Sequence, residues 1–237
     1  MLINLNLEVY RGETVVIIGR SGCGKSVLLK SIMGLIKPDS GKIEIMGKDI
    51  GKVSERELDE VRKKMGVVFQ SSALLNSLTV EENIALPLLE HTSLSREEIF
   101  KKVREKLHLV GLKEVEGLYP EDLSGGMKKR VGIARALIMD PEIVLYDEPT
   151  TGLDPIMASA INRLIISLKE KIKTTSIVVT HDMKSAYLVG DRIGMLYQGK
   201  IIQMGKPEEI QNTQDPVVRQ FITGSDQGPI PVEEGIK

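Results

Sequence analysis

The chain has few of the features that mark secreted, membrane-spanning or nucleic-acid-binding proteins. Its one cysteine among 237 residues excludes a disulfide framework and a multi-cysteine zinc site, and favours a reducing compartment. No apolar run approaches the roughly 20 residues that span a bilayer, and the N-terminus has no signal-peptide pattern. The 32 basic and 33 acidic residues leave a net charge of -1, which offers no large field for nucleic acid. We therefore expect a cytoplasmic protein that does not bind nucleic acid.

The pattern of apolar residues predicts an α/β fold. Hydrophobic residues make up 41% of the chain and charged residues 27%, as in soluble globular proteins that bury a core. Residues 2–9 alternate apolar and polar side chains, which predicts a half-buried strand. Short antiparallel strands are expected near residues 43–48, and a hairpin over residues 192–204. Four further apolar runs predict the strands of a mainly parallel sheet: residues 14–18, 65–69, 143–146 and 177–180.

Helix signals divide the rest of the chain. Residues 71–139 have an almost entirely helical pattern, so we predict an inserted α-helical subdomain at about residues 71–140. Residues 224–237 hold five Gly or Pro and are expected to form a peripheral tail after a main domain of residues 1–223. Three capping boxes of the S/T-x-x-E type predict helix starts: Ser54 with Glu57, Thr79 with Glu82, and Ser95 with Glu98.

A phosphate-binding motif follows the first apolar run. Residues 19–26 match the pattern G-x-x-x-x-G-K-[ST], in which glycines let backbone N–H groups point at phosphate oxygens. Lys25 supplies a positive charge for the β- and γ-phosphates, and the Ser26 hydroxyl is a magnesium ligand. The residues assigned to nucleotide binding here are Gly19, Arg20, Ser21, Gly22, Cys23, Gly24, Lys25, Ser26 and Val27.

Two other segments complement this motif. Asp147 and Glu148 follow four bulky residues, and a buried strand that ends in Asp delivers a carboxylate beside magnesium. The second carboxylate, Glu148, is suited to polarising an attacking water. Ser124, Gly125 and Gly126 precede a helical stretch, and a helix N-terminus of this kind offers a second phosphate-binding surface. We expect the basic run at residues 128–130 to be a solvated helix face.

From about residue 2 to residue 211, the chain resembles the nucleotide-binding subunits of ABC transporters. Residues 123–127 resemble the LSGGQ signature of that family, with Met127 in place of Gln. Gln70 resembles the residue of the Q-loop, residues 150–154 resemble the D-loop, and His181 resembles the switch histidine. These motifs occur in the family's order and spacing.

The resemblance implies a P-loop NTPase (RecA-like) core with a mainly parallel sheet, a small antiparallel β subdomain and an inserted helical subdomain. It implies an ATPase that uses ATP and Mg²⁺ and acts as a homodimer, in which each ATP lies between the phosphate loop of one subunit and the signature of the other. The implied magnesium ligands, direct or through water, are Ser26, Asp147 and Gln70. Glu148 would activate water and His181 would contact the γ-phosphate; the opposite subunit's nucleotide would meet Ser124, Gly125, Gly126 and Asp154.

A narrower resemblance concerns the transported substrate. His91-Thr92, Met127, residues 221–224 and residues 228–231 are similar to the Mla/Mce-associated ATPases, which energise phospholipid movement across the bacterial envelope. This implies a location on the inner face of the cell membrane, bound to an integral permease that handles the phospholipid. Some of the apolar residues after Gln70 would line a groove for a short permease helix: Leu74, Leu75, Leu78, Leu86, Pro87, Leu88 and Leu89.

Two alternative functions stay open, and the sequence departs from the family's pattern at one place. The alternatives are the ATPase of a small-solute ABC importer and a soluble ABC ATPase of DNA repair or translation. The departure is at the N-terminus, where Tyr10 is the only aromatic residue before Gly19. Related domains stack an upstream aromatic residue on adenine, so we expect that the family's first strand is missing here. Either the native start lies upstream of Met1, or this subunit binds the base weakly. That expectation implies poor discrimination between ATP and GTP, and an exposed edge beside residues 2–9.

Overall fold

A computed structural model describes residues 2–231, and a six-stranded sheet forms its centre. The strand order is β4-β5-β6-β1-β7-β8, in which the first five strands are parallel and β8 is antiparallel to β7. A separate antiparallel pair consists of β2 (Glu44–Ile45) and β3 (Lys48–Asp49). The strands of the main sheet are β1 (Thr14–Ile18), β4 (Met65–Val68), β5 (Ile143–Asp147), β6 (Thr175–Thr180), β7 (Arg192–Tyr197) and β8 (Lys200–Gly205).

Helices cover both faces of this sheet. All three capping boxes form as predicted, with the Ser or Thr side chain accepting from the backbone N–H three residues on. A short 3₁₀ turn, Pro120–Asp122, precedes α5. The helices are α1 (Lys25–Ile32), α2 (Glu55–Arg62), α3 (Val80–His91), α4 (Arg96–Leu109), α5 (Gly125–Leu137), α6 (Pro155–Ile172), α7 (Met183–Val189), α8 (Pro207–Gln211) and α9 (Pro216–Thr223).

The central strand β1 is buried on both faces, as its unbroken apolar run predicts. Val15 and Ile17 belong to a core cluster that includes residues of α1 and α2. Val16 and Ile18 belong to a larger cluster with residues of α3 to α7. Because successive side chains of a strand point to opposite faces, this single strand contributes to both cores. The α/β prediction with its mainly parallel sheet is confirmed.

Three predictions about local structure need correction. Residues 2–9 are not a strand: Ile3 donates a backbone hydrogen bond to Gly199, but no ladder forms, although Leu5 and Leu7 pack on the smaller core. The predicted helical stretch is interrupted at residues 71–79, 92–95 and 110–119, which form turns and irregular backbone.

The third correction concerns the C-terminal segment. Ile230 is 5% exposed and packs in the larger core, so the expectation of a wholly peripheral tail over residues 224–237 is wrong at this position. The side chain of Gln220 holds it there: Oε1 accepts from the Ile230 N–H at 2.6 Å and Nε2 donates to the Ile230 carbonyl at 3.1 Å. Residues 232–237 of the predicted tail lie outside the described residues. In the part that is described, no helix combines the length and apolarity that a membrane span needs.

Candidate functional site

The residues predicted to act on the nucleotide lie at one edge of the sheet. Strands β4, β5, β6 and β1 are neighbours and run parallel, so their carboxyl ends meet at the same edge. Gln70 follows β4, Asp147 ends β5, His181 follows β6, and Gly19 follows β1. Ligands of open α/β sheets bind at this edge. The topology thus places four motifs that are far apart in sequence around one crevice.

The phosphate loop is tightly packed around Lys25. Gly24 has a φ of +110°, in the left-handed region that glycine adopts readily. A Cβ at Gly19 would lie 2.4 Å from the carbonyl oxygen of Leu196, so only glycine fits there. The Lys25 ammonium is buried and donates to the Gly19 carbonyl at 2.7 Å and to the Arg20 carbonyl at 3.1 Å. A positive charge is therefore held inside a loop that begins a helix, as anion binding requires.

Glu148 lies at the centre of the site. Its Oε1 is 3.7 Å from the Lys25 ammonium, and its Oε2 is 2.9 Å from Nδ1 of His181. The hydroxyls of Thr151 and Thr180 each donate to Oε2 at 3.2 Å. These contacts fix the orientation of a buried carboxylate that can accept a proton from water. The sequence did not reveal the two threonine contacts, because only the fold brings these hydroxyls to Glu148.

The backbone at Glu148 separates the two neighbouring carboxylates. Glu148 has a φ of +48°, a left-handed conformation that costs about 1–2 kcal/mol for a residue other than glycine. The Glu148 N–H donates to the Val179 carbonyl at 2.9 Å, and the Glu148 carbonyl accepts from the Thr151 N–H at 3.2 Å. Because the chain turns here, Glu148 faces Lys25 and His181 whereas Asp147 lines an open cleft.

The donor set beside Asp147 fits a magnesium ion. An open cleft of about 450 Å³ is lined by Phe69, Gln70, Ser71, Asp147 and Thr151. Burial raises the pKa of Asp147, the charge of Glu148 raises it further, and Lys25 opposes both effects. A divalent cation would favour the ionised carboxylate. Across residues 2–231, no cluster of three His, Cys, Asp or Glu residues could hold a metal. A magnesium ion in this cleft would find the oxygens of Asp147 and Gln70, which are the kind of donor that it prefers.

The signature residues lie at the start of α5. Ser124 caps this helix, since its hydroxyl accepts from the Met127 N–H at 3.3 Å. A Cβ at Gly126 would lie 2.2 Å from Cε of Met157, so the side chain of Met157 in α6 packs over this glycine. Asp154 caps α6 and accepts from the Met157 N–H at 3.0 Å. The side chain of Asp154 therefore has a structural role in the described chain.

The predicted site residues form two groups. The phosphate loop, Asp147, Glu148, Gln70 and His181 surround the crevice. The second group is the signature together with Asp154, packed at the start of α6. Between residues 2 and 231, no hydrogen bond or ion pair links the side chain of Ser124 or Asp154 to the phosphate loop.

The basic run after the signature is not a solvated face. Lys129 is 5% exposed, which corrects the expectation for residues 128–130. Its ammonium donates to the carbonyl of Gln70 at 2.6 Å and to the carbonyl of Glu148 at 3.4 Å. Burial lowers the pKa of Lys129, and the charges of Glu148 and Asp147 oppose that effect. No local signal in the sequence marked this burial, because the carbonyls that Lys129 contacts belong to residues 59 and 19 positions away along the chain.

Comparisons with known proteins agree on a family. A family model described as ABC transporter matches residues 2–151. The protein "Probable ribonucleotide transport ATP-binding protein mkl" of Mycobacterium leprae is 44% identical over 231 residues, which are 98% of this chain and 67% of the relative. The chain spans 64% of the corresponding Mycobacterium tuberculosis protein.

For a second relative and a solved structure, the match covers a larger share of the similar protein's own length. The "Intermembrane phospholipid transport system ATP-binding protein MlaF" of Haemophilus influenzae is 43% identical, over 96% of this chain and 86% of the relative. The ATP-binding cassette MJ0796, solved as a dimer in a post-hydrolysis state with ADP and Pi, is similar with a TM-score of 0.79. It is 39% identical, and the match covers 87% of this chain and 90% of that one.

Proposed function

The chain belongs to the ABC transporter family of ATPases, and from this premise we propose that it powers phospholipid transport through a membrane permease. The observation that carries the ATPase assignment is the crevice that joins Lys25, Glu148 and His181 beside the cleft of Asp147. A cationic loop, a buried acceptor for a proton and a carboxylate suited to magnesium are the parts that phosphoryl transfer to water requires.

In this proposal each residue of the crevice has a distinct task. Lys25 and the loop N–H groups bind the β- and γ-phosphates. Bound Mg²⁺ would neutralise charge that develops on the phosphate oxygens, and Ser26, Asp147 and Gln70 would hold the ion or its waters. Glu148 orients the attacking water and accepts its proton at a carboxylate oxygen.

His181 and two hydroxyls keep Glu148 in place for that step. Nδ1 of His181 contacts Oε2 of Glu148, the same oxygen that accepts from Thr151 and Thr180. The other oxygen, Oε1 of Glu148, therefore faces Lys25 and the phosphates that this lysine would bind. The other imidazole nitrogen of His181 would contact the γ-phosphate. Loss of this phosphate would remove a contact of His181, which gives the site a means to respond to hydrolysis.

We propose that two copies of the chain complete each other's sites. The signature at the start of α5 is separate from the phosphate loop of its own chain, and its exposed helix N-terminus suits a phosphate from a second copy. The related MJ0796 structure is itself a dimer. Because the γ-phosphate would be contacted from both subunits, ATP favours the closed dimer and hydrolysis releases it.

A permease would dock beside the Q-loop, at the inner face of the membrane. Phe69 is 41% exposed and Leu75 is 49% exposed, and they lie on either side of Gln70 and Ser71 in the sequence. Of the seven apolar residues predicted to form a groove, Leu88 is in the core, whereas Leu75 and Leu89 are each 49% exposed. Exposed apolar side chains next to a magnesium ligand suit a short permease helix whose movement accompanies hydrolysis.

The proposed substrate can be tested by identifying the subunits and small molecules that copurify with the chain. The relatives differ in their names, since one is described as a phospholipid transporter component and the other as a probable ribonucleotide one. The experiment is to purify the complex in mild detergent and to identify its membrane subunit, lipids and nucleotides by mass spectrometry. We expect an integral permease with bound phospholipid, enriched over a mock purification from cells without the chain.

Other results would favour the alternatives. Bound ribonucleotides or other small solutes without phospholipid enrichment would indicate a small-solute importer. A complex without a membrane subunit would indicate a soluble ABC ATPase. Either result would contradict the phospholipid proposal while leaving the ATPase assignment intact.

A further inference from the structure

One face of α5 contacts residues 70–73, the segment after β4 that we call the Q-loop. Lys129, Gly132 and Arg135 are spaced by three residues and so lie on the same side of the helix. The Lys129 ammonium donates to the Gln70 carbonyl at 2.6 Å. The Arg135 guanidinium donates to the carbonyls of Ser72 and Ala73, at 2.7 Å each. We call these three residues the Q-loop clamp.

Gly132 sets how close the loop lies to the helix. A Cβ at this position would be 3.3 Å from Cβ of Ser72, which is tighter than nearly all such contacts. The approach of α5 to the sheet is closer still at Gly66 in β4, where a Cβ would lie 2.2 Å from the Ala136 carbonyl oxygen. The loop that leaves β4 therefore runs directly against α5 and has little room to shift.

The backbone that the clamp holds is strained. Ser72 and Ala73 have φ values of +62° and +47°, so two consecutive residues other than glycine are left-handed. Such conformations persist only where the surroundings fix them. The two carbonyls that Arg135 contacts belong to these same two residues. The clamp thus accounts for the conformation of the segment that follows Gln70.

We propose that the Q-loop clamp positions Gln70 for ATP hydrolysis. The proposal rests on the proposed function, in which the Gln70 side chain acts at magnesium. Lys129 contacts the backbone of Gln70 and of Glu148, so one ammonium fixes the main chain of two residues that must act together. Lys129 and Arg135 touch only backbone carbonyls here, and they are positioning residues.

The position of the clamp on α5 gives it a second consequence. The same helix begins at the signature, which would meet the nucleotide of the opposite subunit. A displacement of the α5 N-terminus would therefore reach Gln70 through Lys129, five residues after Ser124. This links engagement of the partner's ATP to the arrangement of the magnesium ligands in the chain's own site.

The test compares two substitutions on α5 in the intact transporter complex. Lys129→Met removes the bonds to the carbonyls of Gln70 and Glu148 together with the positive charge of the ammonium. Arg130→Met removes a similar bond, from Arg130 to the Val110 carbonyl at 2.6 Å, that does not touch the Q-loop. We expect Lys129→Met to lower kcat about tenfold or more, because misplacement by about 1 Å can cost a hundredfold. The KM for ATP should stay within about threefold, since Lys25 and its loop are intact.

Two further readouts separate positioning from stability. Hydrogen exchange at residues 69–74 should accelerate in Lys129→Met but not in Arg130→Met. Lys129→Arg keeps the charge and the donors, and it should restore most of kcat. If Lys129→Met does not fold, Arg135→Lys takes its place, because it keeps the charge but gives up the paired carbonyl contacts; the same loss of kcat is expected.

The outcomes that would overturn the proposal are specific. An unchanged kcat in Lys129→Met, or an equal loss of kcat in Arg130→Met, would show that the clamp does not position Gln70. Glu148→Gln, measured in parallel, distinguishes this failure from failure of the proposed function. An inactive Glu148→Gln beside a fully active Lys129→Met refutes the clamp alone, whereas activity in both refutes the assigned chemistry.

Discussion

Asn83 is the residue whose loss should most weaken the connection after the Q-loop. Its side chain is fully buried in α3 and reaches back to the irregular segment before that helix. Oδ1 accepts from the Leu75 N–H at 2.8 Å, and Nδ2 lies 3.0 Å from each of the carbonyls of Leu75, Leu78 and Thr79. One amide thus fastens residues 75–79 to the start of α3.

The expected magnitude follows from counting those bonds. The amide has two N–H hydrogens for three carbonyls, so at most three of the four contacts are full hydrogen bonds. At about 1 kcal/mol for each bond, Asn83→Leu should lower the free energy of unfolding by about 3 kcal/mol. Leucine has the same branching at Cγ and the same number of side-chain heavy atoms, so the substitution opens no large cavity. For a chain of this length the loss corresponds to a fall in Tm of about 6–12 °C.

Urea unfolding of the two proteins measures this loss directly. Asn212→Leu is the matched control, because Asn212 is exposed and donates one bond, to the Glu208 carbonyl at 2.8 Å. The control should change the free energy of unfolding by less than about 0.5 kcal/mol. A loss below about 1 kcal/mol in Asn83→Leu would refute the argument, because it would mean that water or other groups replace these bonds at little cost.

Two further predictions concern the C-terminal segment and acid stability. Gln220→Ala removes both bonds to Ile230, so the Ile230 amide should exchange hydrogen about tenfold faster or more, a loss of about 1.4 kcal/mol of protection; unchanged exchange would show that packing alone holds the segment. Burial alone would raise the pKa of Glu13, but the hydrogen bond from Arg192, the hydrogen bond from the Tyr10 N–H and the charge of Arg192 together hold the pKa below its ordinary value of 4.5. The stabilisation is therefore present at neutral pH and is lost as the pH falls through the lowered pKa. Arg192→Met should make acid unfolding less steep below pH 4.5; an identical acid profile would contradict this.

The sequence predicted those features that depend on local chemistry. The phosphate loop needs glycines, Lys25 and Ser26 within eight residues, and the capping boxes need partners three residues apart. Asp147 was identifiable because an apolar strand runs directly into it. These signals lie within short segments, so they can be recognised without knowledge of the fold. The resemblance to a family then gave each motif its role.

What the sequence could not predict depends on contacts between distant segments. The Thr180 hydroxyl reaches Glu148 only because β5 and β6 are neighbours in the sheet. Lys129 was expected to be solvated because a basic run is usually on a surface, and its partner Gln70 lies 59 residues away. Ile230 lies in a segment rich in Gly and Pro, and its burial depends on hydrogen bonds from the distant side chain of Gln220 and on packing in the larger core.

Residues 2–9 illustrate the limit of periodicity. Their alternating pattern correctly places Leu5 and Leu7 against the core, but a strand also needs a neighbour for its backbone groups. Within the described chain, the single bond from Ile3 to Gly199 is too little to form a ladder. A pattern of side chains therefore predicts which face is buried more reliably than it predicts the hydrogen bonds of the main chain.

The central claim is that Glu148 accepts the proton of the water that attacks ATP. The most direct test is the rate of ATP hydrolysis by Glu148→Gln in the intact complex, because glutamine keeps the shape and the contacts with Thr151 and Thr180 but cannot take up the proton. Loss of a general base typically costs a factor of about 10²–10⁴, so the rate should fall at least tenfold while ATP remains bound. A rate close to that of the unaltered protein would contradict the account.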